Sequence, residues 1–155
     1  MKDLSLHVLD IAENSVRAEA TLVEITVIED EKEDLLVLEI KDDGRGMDDE
    51  TLKRATDPFF TTKGGKRVGL GLAMLAQAAR EAEGSCEVSS APHVGTKIRA
   101  MFRYSHPDRK PLGDIPATLQ TLVMTGGEVD IVYRHNRGAE AMEFDTRKAK
   151  SHERD

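Results

Sequence analysis

Two neighbouring aliphatic runs constrain this chain most. "TLVEITVIE" (21–29) and "LLVLEIKDD" (35–43) are rich in β-branched and aliphatic residues, and an acidic stretch separates them. They read as the two strands of a hairpin, which must bury its apolar side against something else. A helical pattern flanks it on each side. Residues 4–18, "LSLHVLDIAENSVRA", set Leu6, Leu9, Ala12 and Val16 at helical spacing, with Ser5 as the candidate cap. Residues 68–84, "VGLGLAMLAQAAREAEG", predict a longer helix with Gly84 as its stop. A short helix is expected over 48–56, and "SCEVSSA" and "GTKIRAMFRY" read as two more strands, the second with Ile98, Ala100 and Phe102 on one face. This order predicts an α/β fold: a two-layer sandwich in which a mixed β-sheet is covered on one face by helices.

From Ser105 the character changes. "SHPDRKPLGDIP" is linker-like, residues 117–125 suit a short helix, and residues 128–146 suit a hairpin turning at "NRG". The expected organisation is a first domain over 1–104 and a C-terminal extension over 105–155 that ends in a charged tail. No counterpart of that extension occurs in the motif set described below, so it is assigned a partner surface and expected to be dispensable for ligand binding.

Charge narrows the function classes. A net charge of −7 over 155 residues argues against a general nucleic-acid binder, whose phosphate contacts need a basic face. The lone Cys86 fits a reducing compartment, and no Cys/His cluster has metal-ligand spacing. No apolar run reaches a membrane-spanning length and no signal peptide is visible at the N-terminus, so a cytoplasmic location without membrane contact is expected.

The stretch "DPFFTTKGGKRVGLGLAM" (57–74) looks like a phosphate loop but fails both common patterns. Neither Lys63 nor Lys66 is followed by Ser or Thr, as a P-loop requires, and the third position after Gly69 and Gly71 is Met74 rather than glycine. Gly69 and Gly71 at a helix start still need a reason, since each costs about 1 kcal/mol against Ala there. Together with "LDIAENSVRAEAT", "DDGRGM", "FFTTK" and "GTKI", "GLGLAM" strongly resembles the nucleotide-binding motifs of the GHKL superfamily, which comprises type II topoisomerase, heat-shock chaperone, histidine kinase and mismatch-repair ATPase domains. The resemblance covers residues 4–103, with five stretches in the family's order. It implies a Bergerat-type ATP site.

Carried over to this chain, the resemblance makes Asn14 the residue whose amide oxygen ligates Mg²⁺, a hard cation that prefers oxygen. Asp42 would accept a hydrogen bond from the adenine amino group, a contact guanine does not offer. Gly44 and Gly46 would keep side chains off the base, and Thr96 would support the adenine pocket through Asp42 and water. Gly69, Leu70, Gly71 and Leu72 would bring the phosphates to the amides at the N-terminus of the long helix. The glycine-rich stretch becomes an ATP lid with Phe59 and Phe60 as anchors or core residues. Lys63 would supply charge to the terminal phosphates, with Lys66 and Arg67 as further candidates and Gly64 and Gly65 as hinge points.

Four residues before Asn14, the hydrolysing branches and the anti-sigma serine kinases carry a glutamate, and histidine kinases tend to carry an asparagine. This chain carries Asp10, a candidate catalytic base with a shorter arm. Glu13 is expected to pair with Arg17, and His7 to be a packing or surface residue rather than a phosphoacceptor. The resemblance implies a stand-alone, kinase-like regulatory domain that binds ATP and Mg²⁺ and acts on a protein partner. It would transfer the γ-phosphate or switch affinity with nucleotide state. The alternatives are a true ATPase that drives a partner assembly and a nucleotide sensor without chemistry.

Overall fold

The computed structural model describes residues 3–55, 70–125 and 127–148. The chain runs α1 (Leu4–Arg17), β1 (Leu22–Asp30), β2 (Leu35–Asp42), α2 (Asp49–Ala55), α3 (Leu70–Glu81), β3 (Ser85–Ala91), β4 (Gly95–Arg103), α4 (Ile115–Thr125), β5 (Asp130–Arg137) and β6 (Glu140–Asp145). The strands form one six-stranded sheet in the order β3-β4-β2-β1-β5-β6. Every neighbouring pair is antiparallel except β1 and β5, which are parallel, so the sheet is mixed as expected.

Strand periodicity assigns the two faces. Val23, Ile25 and Val27 of β1, Leu36, Leu38 and Ile40 of β2, and Ile98, Ala100 and Phe102 of β4 are buried and join one cluster with residues of α1, α3 and α4. The opposite face carries exposed ion pairs: Arg134 with Glu24 at 3.4 Å and Glu143 at 3.2 Å, and Lys97 and Arg99 with Glu39 at 3.9 Å each. Such pairs contribute little stability but keep that face wetted. Helices therefore cover one side of the sheet and solvent the other.

The first helix is rotated from the expected register. Leu4, Ser5, His7, Val8, Ile11, Ala12 and Ser15 are buried, whereas Leu6 is 42% exposed. α1 contacts the sheet, α3 and α4, so several of its faces are covered and a single apolar stripe does not describe it. Its cap is Asp3 rather than Ser5: the Asp3 carboxylate accepts from the Leu6 amide and from the Ser5 hydroxyl.

Both long helices end alike. In α1 the Ala20 amide donates to Ser15 O and the Glu19 amide to Val16 O; in α3 the Gly84 amide donates to Ala79 O and the Glu83 amide to Arg80 O. This is a Schellman ending, whose left-handed position here falls to Glu19 (φ 64°) and Glu83 (φ 58°). Gly84 is thus not the left-handed stop. A Cβ there would lie 1.7 Å from the Met101 carbonyl oxygen, so its smallness serves backbone packing.

The segment expected to stand apart after residue 104 is built into the same core. β5 adds itself to β1, and Ile115, Leu119 and Leu122 of α4 share the hydrophobic cluster with Ile131 and Tyr133. Before α4, the Pro111 and Leu112 carbonyls accept from the Leu4 and Ser5 amides, which satisfies donors at the start of α1 that no helix can pair internally. Without β5, β1 would be a bare edge. The local pattern of residues 105–146 shows a helix and a hairpin but not that the hairpin docks on a strand a hundred residues earlier.

Candidate functional site

Sheet register brings the site together. Ser90 on β3 pairs with Thr96 on β4, and Thr96 pairs with Asp42 at the end of β2. All three lie on the helix-covered side, because Val88, Ile98 and Ile40 continue the same columns into the core. α1 crosses above this row. Its Ser15, 3% exposed, donates a 2.6 Å hydrogen bond to Oδ2 of Asp42, and the Gly44 amide donates to Oδ1 at 2.9 Å. Beside them, the Ser90 hydroxyl lies 2.8 Å from the Thr96 hydroxyl, donates to Gly95 O at 2.9 Å and accepts from the Met47 amide at 2.8 Å.

The neighbouring aspartates do different work. Burial would raise the Asp43 carboxyl, but hydrogen bonds from the Thr21 hydroxyl and the Leu22 and Thr21 amides outweigh it and hold the group below the usual carboxylate range. Asp43 pins the start of β1. Asp42 faces the cleft.

The following turn is clamped on both sides. The Arg45 amide donates to Ala18 O at 2.8 Å, and Arg45 O accepts from the His93 amide at 2.6 Å. Gly46 has φ +69°, and a Cβ on it would stand 1.9 Å from Ala91 O. Its smallness is needed by this backbone contact, whether or not a base lies nearby.

The result is a cleft of about 390 Å³. Ile11, Met47, Leu72 and Ile98 form apolar walls, Asp42 and Thr96 the polar floor, and Asn14, Arg17 and Arg45 a polar rim. An apolar slot with few convergent polar atoms is the usual form of a small-molecule site. A larger groove of about 740 Å³ opens at the far ends of β1 and β5; it is lined mostly by charged and polar residues, of which Arg137 pairs with Glu31 at 3.0 Å and Glu29 with His135 at 2.6 Å.

Of the residues expected from the sequence, Asn14, Asp42, Gly46, Leu72 and Thr96 line the cleft. Gly44 reaches it through its amide on Asp42. Leu70 opens α3. Gly71 is placed against α1: a Cβ there would stand 2.8 Å from the Asp10 Cβ, so this glycine sets how closely the two helices approach. Asp10 is exposed, one helical turn before Asn14. Arg17 pairs with Glu13 at 3.9 Å as expected, and it also donates to Oδ1 of Asn14 at 2.6 Å. His7 is a buried core residue. Lys63 and Gly69, like Phe59, Phe60, Gly64, Gly65, Lys66 and Arg67, lie outside the described residues.

Four contributors were not anticipated as site residues: Ser15, Ser90, Arg17 and Arg45. Ser15 adjoins Asn14 and could have been suspected from that. Ser90 could not, because only cross-strand register brings it to Thr96. Among the described residues, no three His, Cys, Asp or Glu side chains cluster as a metal site, and no helix is long and apolar enough to cross a membrane.

Comparison with known proteins bears on the family and the fold. Residues 2–106 match the family model described as "Histidine kinase-, DNA gyrase B-, and HSP90-like ATPase". A Shewanella frigidimarina protein bearing a sensor-protein name is 38% identical over 104 residues, 64% of this chain and 16% of that protein. The Bacillus subtilis sensor histidine kinase YxdK is 35% identical over 74 residues, 45% of this chain and 23% of the kinase. The matched region is thus under a quarter of either relative. The fold is similar to that of the Aquifex aeolicus MutL ATPase domain, solved in complex with ADP, with a TM-score of 0.52 at 16% identity, covering 93% of this chain and 62% of that one. Five motif stretches in order, a mixed sheet with helices on one face and a family match over two thirds of the sequence converge, and this chain belongs to the histidine kinase-, DNA gyrase B- and HSP90-like ATPase family.

Proposed function

We propose that the cleft binds Mg-ATP and that the domain regulates a partner protein, by transferring the γ-phosphate to it or by switching affinity for it with nucleotide state. One observation carries the reading: a carboxylate held from two sides, Asp42, lies beside Thr96 at the floor of an apolar slot whose rim holds Asn14. The slot suits a flat heteroaromatic base, and Asp42 suits an amino group on its edge. Similarity of the matched region to sensor histidine kinases favours the signalling context and a cytoplasmic setting, where ATP is available.

Mg²⁺ usually takes only one or two protein oxygens and completes its shell with phosphates and water. The Asn14 amide oxygen at the rim fits that role, and the missing carboxylate cluster among the described residues does not conflict with it. Arg17 engages the same oxygen and must release it for a cation to bind. Bound there, the ion would neutralise phosphate charge in the transfer step. The exposed carboxylate of Asp10, beside the first turn of α3, is the candidate base for a hydroxyl or water nucleophile.

Titration calorimetry of the purified chain with Mg-ATP tests the reading. Saturable binding is expected, and Asp42→Asn should weaken it by about 100-fold. Absence of heat from the folded wild-type protein would sink the proposal. Steady phosphate release that Asp10→Asn removes would select hydrolysis over transfer to a partner.

A further inference from the structure

The hydrogen-bonding phase of the open β6 edge follows from its hairpin. β5 and β6 are joined by Gly138 and Ala139 alone, and Gly138 has φ 58°, the positive value that a type II′ turn takes first. Such a turn is closed by a pair that exchanges both backbone hydrogen bonds, here Arg137 and Glu140, and the ladder then alternates. His135 with Met142 and Tyr133 with Phe144 are therefore hydrogen-bonded pairs. The Ile131 amide, which donates to the Thr146 hydroxyl, keeps the same phase. The N–H and C=O groups of Ala141, Glu143 and Asp145 consequently point away from β5, along an edge that no strand occupies among the described residues. No proline and no bulge interrupts that edge.

Side chains add a second regularity. Met142 and Phe144 stand on the helix side of the sheet, opposite His135 and Tyr133, yet they are 47% and 41% exposed. The other edge strand, β3, carries no exposed large hydrophobic residue. On the open face the charges beside β6 balance, Arg134, Arg147 and Lys148 against Glu24, Glu143 and Asp145, in contacts of 2.8 to 3.4 Å. The edge is thus locally neutral although the whole chain carries −7.

We propose that β6 pairs antiparallel with β6 of a second copy, about a two-fold axis at Glu143, joining two six-stranded sheets into one. This register alone engages all three outward-facing residues of both copies: Glu143 meets Glu143, and Ala141 meets Asp145. It sets Met142 against Phe144 of the second copy, and Phe144 against Met142, in the non-hydrogen-bonded positions where facing side chains come closest. Both exposed apolar residues are then covered together. Glu140 falls at the outer ends, against Thr146 of the second copy. The two Glu143 carboxylates meet near the axis, but each is already held by its own Arg134 at 3.2 Å and Lys148 at 2.8 Å, so cations offset the like charges. No residue lining the cleft belongs to β6, so both clefts stay open.

Sedimentation velocity of the full chain between about 1 and 500 µM tests this, since a single strand pair is at the small, weak end of protein interfaces. Wild type should shift from monomer to dimer as concentration rises. Ala141→Pro removes an outward N–H without touching a bond to β5, and Phe144→Lys puts a charge into the apolar pair. Each should weaken association by about 10-fold or more while keeping the wild-type circular dichroism in dilute solution. Glu143→Cys, in a background where the chain's own Cys86 is changed to serine, checks the register. Residues across a hydrogen-bonded pair lie about 5.5 Å apart, within disulfide reach, so oxidation should trap a covalent dimer. This variant also keeps the proposal falsifiable if an edge substitution misfolds. A wild type that stays monomeric throughout, a dimer that neither folded variant weakens, or a dimer that Glu143→Cys does not trap would overturn the proposal. Nucleotide affinity enters none of these readouts, so they stand apart from the ATP reading.

Discussion

The two ends of this sheet each carry a row of polar residues on the helix-covered side, and the rows differ in what they leave available. At the far end, Glu29 is engaged through both oxygens, by His135 Nε2 at 2.6 Å and by the Tyr104 hydroxyl at 3.0 Å, and Nδ1 of the same histidine meets the Tyr133 hydroxyl at 3.0 Å. That network closes on itself. At the near end, Asp42 is likewise held through both oxygens, by Ser15 and Gly44, and Thr96 by Ser90, but these groups face a cleft walled by Ile11, Met47, Leu72 and Ile98. A polar cluster among charged neighbours serves the fold, whereas an oriented one at the floor of an apolar slot has the usual form of a small-molecule site. Cleft size alone ranks the two ends the other way, since the far groove is the larger.

Substitutions at the two ends should separate along this line. Glu29→Ala strips partners from His135 and Tyr104 and is expected to cost about 2–3 kcal/mol of stability while leaving nucleotide affinity unchanged, read by urea unfolding beside calorimetry. Asp42→Asn should do the reverse, weakening ATP binding by about 100-fold with little change in unfolding midpoint. If Glu29→Ala weakened binding as much as Asp42→Asn, the ends would be coupled and the distinction would collapse.

Acid sharpens the contrast. Burial would raise the Glu29 carboxyl, but hydrogen bonds from His135 and Tyr104 outweigh it and hold the group below its ordinary value of 4.5. A carboxyl depressed in the folded state contributes stability above the unfolded value and loses it as pH falls through the folded one. Wild-type stability should therefore drop as pH falls below about 4.5, and Glu29→Gln should show a shallower drop. Identical pH profiles would remove Glu29 from the account of acid stability.

The smallest expected effects come from one left-handed residue at each end. Glu19, φ 64°, is near the cleft and has a 3.9 Å exposed contact to Arg45. Asp34, φ 53°, is at the far end, where its carboxylate accepts from the Ser105 amide and hydroxyl at 2.8 Å each and from Arg103 at 3.1 Å. Glu19→Gly should stabilise by about 0.5–1 kcal/mol through relief of the left-handed strain, and Asp34→Gly should destabilise because it deletes the hydrogen bonds. Thermal melts of the two variants should shift in opposite directions.

Local pattern alone was enough for much of this molecule. The alternation of β1 and β2, the helical run of α3 and the turn between β5 and β6 are neighbour-to-neighbour properties, and the motif residues Asn14, Asp42 and Thr96 line one cleft. Where the sequence reading fell short, a partner far along the chain was responsible. Leu6 turned outward because α1 is covered on several sides, Gly71 proved to face Asp10, and Glu83 rather than Gly84 took the left-handed position.

The amino-acid sequence by itself determined most of the helices and strands and the order of the family motifs, because periodicity and motif spacing act over a few residues. Only the tertiary structure decided that residues 105–148 complete the same sheet, that Ser90 reaches Thr96 and that Ser15 holds Asp42. Those relations depend on strand register and on the crossing of α1 over the sheet, which are set by packing the whole core at once.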